Sequence, residues 1–467
     1  MNLQPPPEMF PYQLEGSEFL AQKRFALLAD EMGLGKTVQA IRGLDRIRAQ
    51  KVIIVCPSIA RINWLRELEF WAKTKRTYLV AKKLSEDIDP KTSLIVSFEF
   101  VVANLERLKQ LKFDCLVVDE AHFLKDPGAK RTKAIFSVTG LVRYAKRCWL
   151  LTGTPAPNNP AELWVMLYSF GCTVLKYEAF TDYFCLTRQA SYGKKIIGAN
   201  RAKIPELKEL LKPILLRRLK RDVMKQLPPI TYGHINVEPG PVDLEVMASF
   251  TQYFIPKNRS EELYAELDRQ YKLLSDVWNN MKVENADSVA AIQAISSSVS
   301  TIRRYIGLQK VKAAVELVKR ELEANAYQKI VIFAVHRDVI EEIRAGLRDF
   351  NPVTLYGKHN AEKKQKNVDR FQNNKHCRVF IGNIQAAGVA VTLTASHNVL
   401  FVEQDWVPGN NAQAVMRCHR IGQENPVHVR FLSLDGTLDT RIMYIIKIKT
   451  RDLTEIFDLD LILPYDY

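Results

Sequence analysis

The sequence predicts an α/β protein with two lobes, each built on a parallel sheet, and with helical insertions between them. Short apolar runs rich in Val, Ile and Leu alternate with amphipathic stretches in the first third of the chain, and the alternation returns after about residue 308. Continuous apolar strands separated by helices are typical of parallel sheets that are covered on both faces. The length of 467 residues and the hydrophobic content of 47% allow two or three domains with sizeable cores.

The apolar runs give the expected strands and domain boundaries. In the first lobe the strands are predicted at residues 25–29, 52–56, 93–97, 115–118 and 148–151. In the second lobe they are predicted at residues 329–333, 353–355, 379–381, 398–401 and 427–432. We therefore assign 1–156 to lobe one, 157–228 to its helical, aromatic-rich insertion, 229–307 to a hinge and helical protrusion of lobe two, and 308–467 to lobe two.

The charge and the cysteines restrict the class of protein. The net charge of +15 and a pI near 9.3 favour a polyanionic partner, of which nucleic acid is the commonest; a basic enzyme without such a partner is the alternative. Seven scattered cysteines form no CxxC pair, which favours reduced, buried thiols in an intracellular protein over a zinc site or disulfides. No apolar run has the length of a membrane span, and the first residues do not resemble a signal peptide, so no membrane partner is expected.

A glycine-containing turn after the first strand is a candidate phosphate site. Glycines let backbone N–H groups approach phosphate oxygens, and the N-terminus of the helix that follows adds its positive end. Lys36 can reach the β- and γ-phosphates of a nucleotide, and Thr37 can bind magnesium. Asp30 stands where the strict P-loop pattern has its first glycine. The predicted nucleotide-binding residues here are Asp30, Met32, Gly33, Leu34, Gly35, Lys36 and Thr37.

Asp119 and Glu120 lie at the end of the apolar run 113–118, where open α/β sheets bind their ligands. Asp119 is the expected magnesium ligand, and Glu120 is expected to orient or deprotonate the attacking water. A solvated acidic loop is the alternative, but the pairing with Lys36 in the same lobe argues against it.

Two further sets of residues complete the predicted nucleotide site. Far downstream, Arg417 and Arg420 follow Gln413 with helical spacing, and two arginines can neutralise the charge on a transferring phosphate. A solvated basic helix face is the alternative for this pair. Near the N-terminus, Tyr12 and Gln13 precede the phosphate turn, and a glutamine amide can bind the edge of an adenine. ATP and magnesium are therefore the expected substrate and cofactor.

These motifs, in this order, resemble those of the superfamily-two helicases and specifically of the Swi/Snf family of DNA translocases. The resemblance extends over nearly the whole chain and includes residues 30–37, 56–58 with Trp64, 119–122, 151–155, 215–218 with 222–228, and 413–423. Residues 331–336 and 386–394 are most similar to the annealing-helicase branch. The resemblance implies two RecA-like lobes that share one ATP, with Arg417 and Arg420 as arginine fingers.

The resemblance also implies contacts with nucleic acid and a function. By position, these contacts involve Pro57, Ser58, Trp64, Thr152 and Gly153 in lobe one, and Ala387, Gly388, Thr392 and Trp406 in lobe two. For the two tryptophans, packing is the alternative. The basic residues 216–221 could contact DNA or the other lobe, or form a solvated helix face.

The implied function is that of an ATP hydrolase stimulated by duplex DNA, which remodels or anneals DNA as a monomer or transient assembly. The alternatives are an RNA-directed helicase of the same superfamily and a DNA-binding interaction protein with little ATPase activity. The absence of chromatin-reading or zinc modules beside the motor favours the cytoplasm of a bacterial or phage-infected cell, or the nucleus in a eukaryote.

Overall fold

The computed structural model describes residues 8–81, 91–190, 193–224, 226–237, 296–357, 361–387, 391–434 and 438–457. Its contacts divide the chain into two compact units. Lobe one comprises Met1–Leu186, Gly198–Leu227 and Asp452–Asp460, and lobe two comprises Thr187–Ile197, Pro228–Arg451 and Leu461–Tyr467. The long polar helices predicted between residues 243 and 306 lie mostly outside the described residues.

Lobe one contains a seven-stranded parallel sheet with the order β3-β4-β2-β5-β6-β1-β9. Its strands are β1 (Phe25–Leu28), β2 (Val52–Val55), β3 (Tyr78–Val80), β4 (Ser93–Val96), β5 (Phe113–Asp119), β6 (Ala145–Leu151) and β9 (Leu215–Leu216). A separate two-stranded sheet is formed by β7 (Cys185–Ala190) and β8 (Gly193–Ala199).

The helices of lobe one cover both faces of its seven-stranded sheet. They are α1 (Pro11–Gln22), α2 (Lys36–Arg46), α3 (Arg61–Trp71), α4 (Phe98–Ala103), α5 (Leu105–Gln110), α6 (Lys130–Phe136), α7 (Trp164–Ser169), α8 (Tyr177–Phe184), α9 (Ile204–Leu211) and α10 (Lys220–Val223). Consecutive strand residues alternate between two cores: Ile53 and Val55 belong to one, and Val52 and Ile54 belong to the other. This alternation explains the continuous apolar runs, because both sides of each strand are buried.

Lobe two contains a six-stranded parallel sheet with the order β10-β15-β14-β11-β13-β12. The strands are β10 (Ile230–Val237), β11 (Ile330–Ala334), β12 (Val353–Leu355), β13 (Val379–Asn383), β14 (Asn398–Phe401) and β15 (Val427–Leu434). The described helices are α11 (Ser296–Glu323), α12 (Arg337–Gly346), α13 (Ala361–Asn373), α14 (Ile384–Ala387), α15 (Pro408–Val415) and α16 (Leu438–Phe457). The C-terminal end of α16 packs in a core of lobe one through Ile456 and Phe457.

The predicted fold class is confirmed, and every predicted strand is present with its ends shifted by a few residues at most. The structure adds β3, β7, β8, β9 and β10. Residues 230–237, predicted to belong to a hinge, instead pair with all eight residues of β15 at the edge of the lobe-two sheet. The insertion 157–228 contains strands as well as helices. Among the residues that the structure describes, no helix combines the length and the apolar character needed to cross a membrane.

Candidate functional site

The phosphate loop connects β1 to α2 and depends on two glycines with positive φ. Gly33 has a φ of 89°, and Gly35, which caps the N-terminus of α2, has a φ of 73°. A side chain at Gly35 would also collide with Gln13, since an ideal Cβ would lie 2.5 Å from its Nε2 atom. Glycine at position 35 therefore serves both the backbone turn and the close approach of the glutamine.

We expect Gly35→Ala to weaken nucleotide binding by about tenfold or more, because strain in the left-handed region costs roughly 1–2 kcal/mol and the collision with Gln13 adds to it. Titration with a fluorescent ATP analogue measures this loss. Gly171→Ala is the matched control, because Gly171 has nearly the same φ of 74° but its Cβ would meet no atom within 4 Å. Equal losses of affinity in the two variants would contradict the assignment of Gly35.

Lys36 begins α2, and its ammonium group lies beside the predicted catalytic carboxylates. Its Nζ atom donates to the backbone oxygens of Asp30 at 2.7 Å and Glu31 at 3.3 Å. Burial lowers the pKa of Lys36, while the negative charges of Glu120, Asp30 and Asp119 oppose that shift. The negative charges of the acidic pair therefore act on the phosphate-loop lysine. Thr37, the second predicted magnesium ligand, is the next residue of α2.

Asp119 is the last residue of β5 and is held by two donors. The indole Nε1 of Trp64 donates to its Oδ2 at 2.8 Å, and the backbone N of Glu120 donates to its Oδ1 at 2.9 Å. Burial, and secondly the charge of Glu120, raise the pKa of Asp119 to about 6, against the effect of the Trp64 hydrogen bond. A cation beside this carboxylate would offset that cost of burial.

Glu120 adopts a left-handed backbone conformation, with φ at 50° and ψ at 49°. A non-glycine residue in this region is uncommon, and such strain is often stored at functional sites. The conformation follows the abrupt end of β5, after which Ala121–Leu124 forms a short 3₁₀ turn. The chain thus turns sharply at the residue that is predicted to activate water.

His122 links the acidic pair to the end of the neighbouring strand. Its Nδ1 atom lies 3.3 Å from Glu120 Oε2 and 3.2 Å from the hydroxyl of Thr152, which follows β6. The same hydroxyl accepts a hydrogen bond from the backbone N of Thr154 at 3.1 Å. Because β5 and β6 are adjacent parallel strands, residues from two separate motifs meet at one edge of the sheet.

Arg217 and Arg218, for which the sequence allowed more than one role, contact the start of the phosphate loop. Arg218 binds both carboxylate oxygens of the buried Asp30, at 3.0 and 2.6 Å. Arg217 donates to the backbone oxygens of Ala29 at 2.6 Å and Gly153 at 3.3 Å. These contacts place both guanidinium groups against residues of lobe one. Asp30, at the position of the missing P-loop glycine, is thus the partner of a bidentate ion pair.

Tyr12 and Gln13 lie on α1 and are mostly buried against the loop. Gln13 Oε1 accepts from the backbone N of Phe10 at 3.1 Å, and its Nε2 donates to the backbone oxygen of Leu34 at 3.3 Å. Burial, followed by the charge of Asp30, raises the pKa of Tyr12 to about 12. Leu34 and Tyr12 share a small core. The structure thus places both predicted adenine-site residues against the phosphate loop.

The lobe-one residues predicted to contact nucleic acid divide into exposed and buried ones. Ser58 is exposed in the 3₁₀ turn Ser58–Ala60, directly after Pro57 at the carboxyl end of β2. Trp64 and Thr152, by contrast, are 1% and 0% exposed and bond to Asp119 and His122. The structure therefore corrects the expectation of direct contact for these two side chains. Burial leaves them able to affect nucleic acid only through the residues that they hold. Gly153 is also buried.

In lobe two, the predicted arginine motif forms the end of α15 and the turn that follows. Gln413 and Arg417 are buried, while Arg420 is partly exposed. Arg420 Nη1 donates to the hydroxyl of Thr392 at 3.0 Å. The backbone oxygen of Arg417 accepts from the backbone N of Leu393 at 2.8 Å. The motif is thus anchored to residues 391–393, which belong to another predicted contact segment.

The remaining lobe-two candidates are Trp406, Ala387 and Gly388. Trp406 is partly buried, and the guanidinium of Arg303 lies 4.8 Å from the centre of its ring. Ala387 ends the short helix α14, and Gly388 lies outside the described residues.

Sequence reasoning missed Glu403, a buried carboxylate that follows β14. Its Oε2 accepts from the backbone N of Val335 and of His336, both at 2.9 Å, and its Oε1 lies 2.6 Å from His336 Nδ1. Although burial alone raises the pKa of this carboxyl, the hydrogen bonds and charge of His336 hold it below its usual value. An acidic residue directly after an apolar run was the available signal, as at Asp119.

Comparison with known proteins identifies both parts of the chain. The family model of the SNF2-related domain matches residues 12–288, more than half of the chain, and that of the helicase conserved C-terminal domain matches residues 309–422. These matches confirm the resemblance that the motifs indicate.

Curated relatives and a solved structure match most of this chain. The human "DNA annealing helicase and endonuclease ZRANB3" is 29% identical over 93% of this chain and 39% of its own length. A Caenorhabditis elegans homologue of "SWI/SNF-related matrix-associated actin-dependent regulator of chromatin subfamily A-like protein 1" is 30% identical over 92% of this chain and 59% of its own length. The solved Sulfolobus solfataricus SWI2/SNF2 ATPase core in complex with dsDNA is 23% identical, covering 99% of this chain and 100% of that one, with a TM-score of 0.44.

The chain therefore spans between about two fifths and three fifths of the length of these two relatives. Both relatives are eukaryotic, so they give no support to the bacterial or phage source expected from the sequence. The name of the human relative agrees with the predicted annealing-helicase branch, and that of the nematode relative agrees with the Swi/Snf family. The chain belongs to the SNF2-related family.

Proposed function

We propose that this chain is an ATP-driven motor that hydrolyses ATP to ADP and phosphate, is stimulated by duplex DNA, and remodels or anneals DNA. The observation that carries the proposal is the phosphate loop at the carboxyl edge of the lobe-one sheet, where Lys36 donates to the backbone oxygen of Asp30 and the negative charges of Asp119 and Glu120 act on its ammonium group. A lysine on a phosphate loop beside a metal-binding and a water-activating carboxylate is the equipment of a nucleoside triphosphatase.

The residues present fit magnesium and a triphosphate. Asp119 and Thr37 offer the hard oxygen ligands that magnesium prefers, and within the described part of the chain each Asp119 oxygen accepts one hydrogen bond. Gly33 and Gly35 leave the loop free of side chains where phosphate oxygens would lie. When bound, magnesium supplies positive charge to the phosphate oxygens.

Glu120 is the proposed base of the reaction. Its carboxylate lies beside Asp119 and His122, and the strained turn at its own backbone fixes where it lies. It would accept a proton from the attacking water, and His122 would hold it in place through the contact that also reaches Thr152. Arg417 and Arg420 of lobe two are the proposed arginine fingers, since guanidinium groups bind phosphate oxygens in a bidentate manner.

The nucleic acid on which the motor is proposed to act is duplex DNA. Family membership, the net charge of +15 and the names of the relatives support this choice. The exposed Ser58, next to Pro57 at the carboxyl end of β2, is the proposed phosphate contact in lobe one. Thr392, Ala387 and Gly388 are the proposed contacts in lobe two. Trp64 and Thr152 are buried and are proposed to act through Asp119 and His122. An intracellular site of action, with the nucleus in a eukaryotic cell, is part of the proposal.

We expect ATP turnover to rise at least about tenfold on adding duplex DNA, and the stimulation to weaken with salt because phosphate contacts release counterions. Phosphate release is measured alone and with equal nucleotide concentrations of duplex DNA, forked DNA, single-stranded DNA and duplex RNA. Lys36→Ala reports contaminating ATPase, since it removes the phosphate-loop cation. Preferential stimulation by RNA would favour the RNA-directed alternative, and DNA binding without turnover would favour the interaction protein.

A further inference from the structure

Trp64 lies in the first turn of α3 and is buried in the core between α3 and the lobe-one sheet. Its one polar atom points towards the proposed magnesium site. Only 1% of the residue is exposed, and its Nε1 donates to Asp119 Oδ2 at 2.8 Å. A buried indole N–H needs an acceptor, and a backbone carbonyl would suffice. The partner here is instead the carboxylate that is proposed to bind magnesium.

This hydrogen bond restricts the orientation of Asp119. The backbone N of Glu120 holds one carboxylate oxygen and the indole of Trp64 holds the other. With one donor at each oxygen, the carboxylate cannot rotate about its Cβ–Cγ bond without losing both bonds. Donors behind a metal-binding carboxylate determine how well the metal binds, and their loss typically reduces metal affinity or activity by about 10–100-fold.

The helix that carries Trp64 begins at an exposed turn. Residues Ser58–Ala60 lead directly into α3, and Arg61 ties this turn to the helix by donating to the backbone oxygen and the hydroxyl of Ser58, both at 3.1 Å. Arg61 also donates to the backbone oxygen of Ala81 at 3.0 Å. Displacement of the turn therefore moves the first turn of α3, where Trp64 is the fourth residue.

We infer that Trp64 is a positioning residue that holds the Asp119 carboxylate in place and passes contact at the exposed Ser58 turn to the magnesium site. The inference rests on the proposed function, in which Asp119 binds magnesium and Ser58 meets nucleic acid. Trp64 itself is not proposed to contact magnesium or nucleic acid. The inference assigns this tryptophan a role inside the lobe in place of the expected direct contact with nucleic acid.

Trp149 provides a matched control. It is fully buried in the same core and donates from Nε1 as well, but to the backbone oxygen of Lys23 at 3.3 Å. Trp64→Phe and Trp149→Phe therefore remove the same atoms from one core, while only the first removes a donor from Asp119. A loss due to packing alone would appear in both variants.

The first measurement is the magnesium concentration required for half-maximal binding of a fluorescent ADP analogue. We expect Trp64→Phe to raise it about 10–100-fold, and Trp149→Phe to leave it within about threefold of wild type. Equal shifts in the two variants, or no shift in Trp64→Phe, would overturn the inference. Because the measurement needs no turnover, it is independent of whether the chain is a DNA-stimulated ATPase.

The second measurement follows the indole N–H signals of the ¹⁵N-tryptophan-labelled wild-type protein, which has six tryptophans. We expect the Trp64 signal to shift on adding magnesium with ADP, and again on adding duplex DNA, while the Trp149 signal stays in place. If Trp64→Phe does not fold, Phe variants of the other tryptophans assign the signal by elimination. A Trp64 signal that ignores either addition overturns the inference, whereas shifts without ATP turnover would refute only the proposed function.

Discussion

Glu120→Gln is expected to reduce ATP turnover by about 10²–10⁴-fold while leaving ATP affinity nearly unchanged, because it removes a base and keeps the shape of the side chain. Glutamine is no more strained than glutamate at the φ of 50° found at this position. Its amide can still contact His122, so the link to Thr152 is not removed outright. Phosphate release under saturating ATP and duplex DNA, with nucleotide affinity measured separately, distinguishes loss of chemistry from loss of binding.

Asp114→Asn is the control for Glu120→Gln. Asp114 lies near the other end of the same strand, where it accepts hydrogen bonds from the backbone N of Gln50 and Lys51 and from Lys146 Nζ. Its neutralisation removes one carboxylate from β5 without touching the phosphate loop, so turnover should remain within about twofold of wild type. If Glu120→Gln retains full turnover, another residue activates the water.

The site residues that belong to short sequence motifs could be predicted from the sequence. The strands are continuous apolar runs because both faces of each sheet are covered. Lys36, Asp119 and Glu120 could be identified because they lie at or shortly after the ends of two of those runs, where such sheets bind ligands. The structure adds that β5 and β6 are neighbours, which places His122 and Thr152, the residues that follow them, in contact. The phosphate site was thus implicit in patterns that each extend over fewer than ten residues.

The residues that depend on distant partners could not be predicted. Nothing near Arg218 in the sequence indicates that it binds Asp30, because the pairing exists only once β9 adds to the edge of β1. Strand β9 has two residues, too few for a periodic signal. The inward orientation of Trp64 is similar: the sequence allowed either contact with nucleic acid or packing, and only the fold places the indole against Asp119.

The same limit explains why residues 230–237 were assigned to a hinge. The prolines at positions 228, 229, 239 and 241 and the glycines at 233 and 240 favour a connector. Strand β10 nevertheless pairs in parallel with β15, which lies almost two hundred residues later in the chain. The half-exposed pattern of β10 is typical of an edge strand, and such a pattern carries little hydrophobic signal. Domain boundaries in this region therefore stay predictions from composition.

Arg417→Lys and Arg420→Lys should each reduce DNA-stimulated turnover by about 10³-fold or more, the scale of an arginine finger. Lysine preserves the charge but loses the planar fork that binds phosphate oxygens at two points, so conservation of charge alone should not preserve turnover. ATP affinity should change far less, because the phosphate loop of lobe one supplies most of the ground-state contacts. Single-turnover measurements of phosphate release test this separation of binding from chemistry.

Two further variants separate catalysis from the structural contacts of these arginines. Thr392→Val removes the hydroxyl that accepts from Arg420 and tests whether this contact alone accounts for the loss. Arg378→Lys alters an arginine at the amino end of the lobe-two sheet, where its guanidinium donates to the backbone oxygens of Gln328 and Tyr327, and should leave turnover unchanged. Open α/β sheets bind their ligands at the carboxyl ends of the strands. Arg378, at the amino ends, is therefore not expected to contact a nucleotide. Comparable losses in Arg378→Lys and Arg417→Lys would mean that the motif stabilises lobe two and takes no part in hydrolysis.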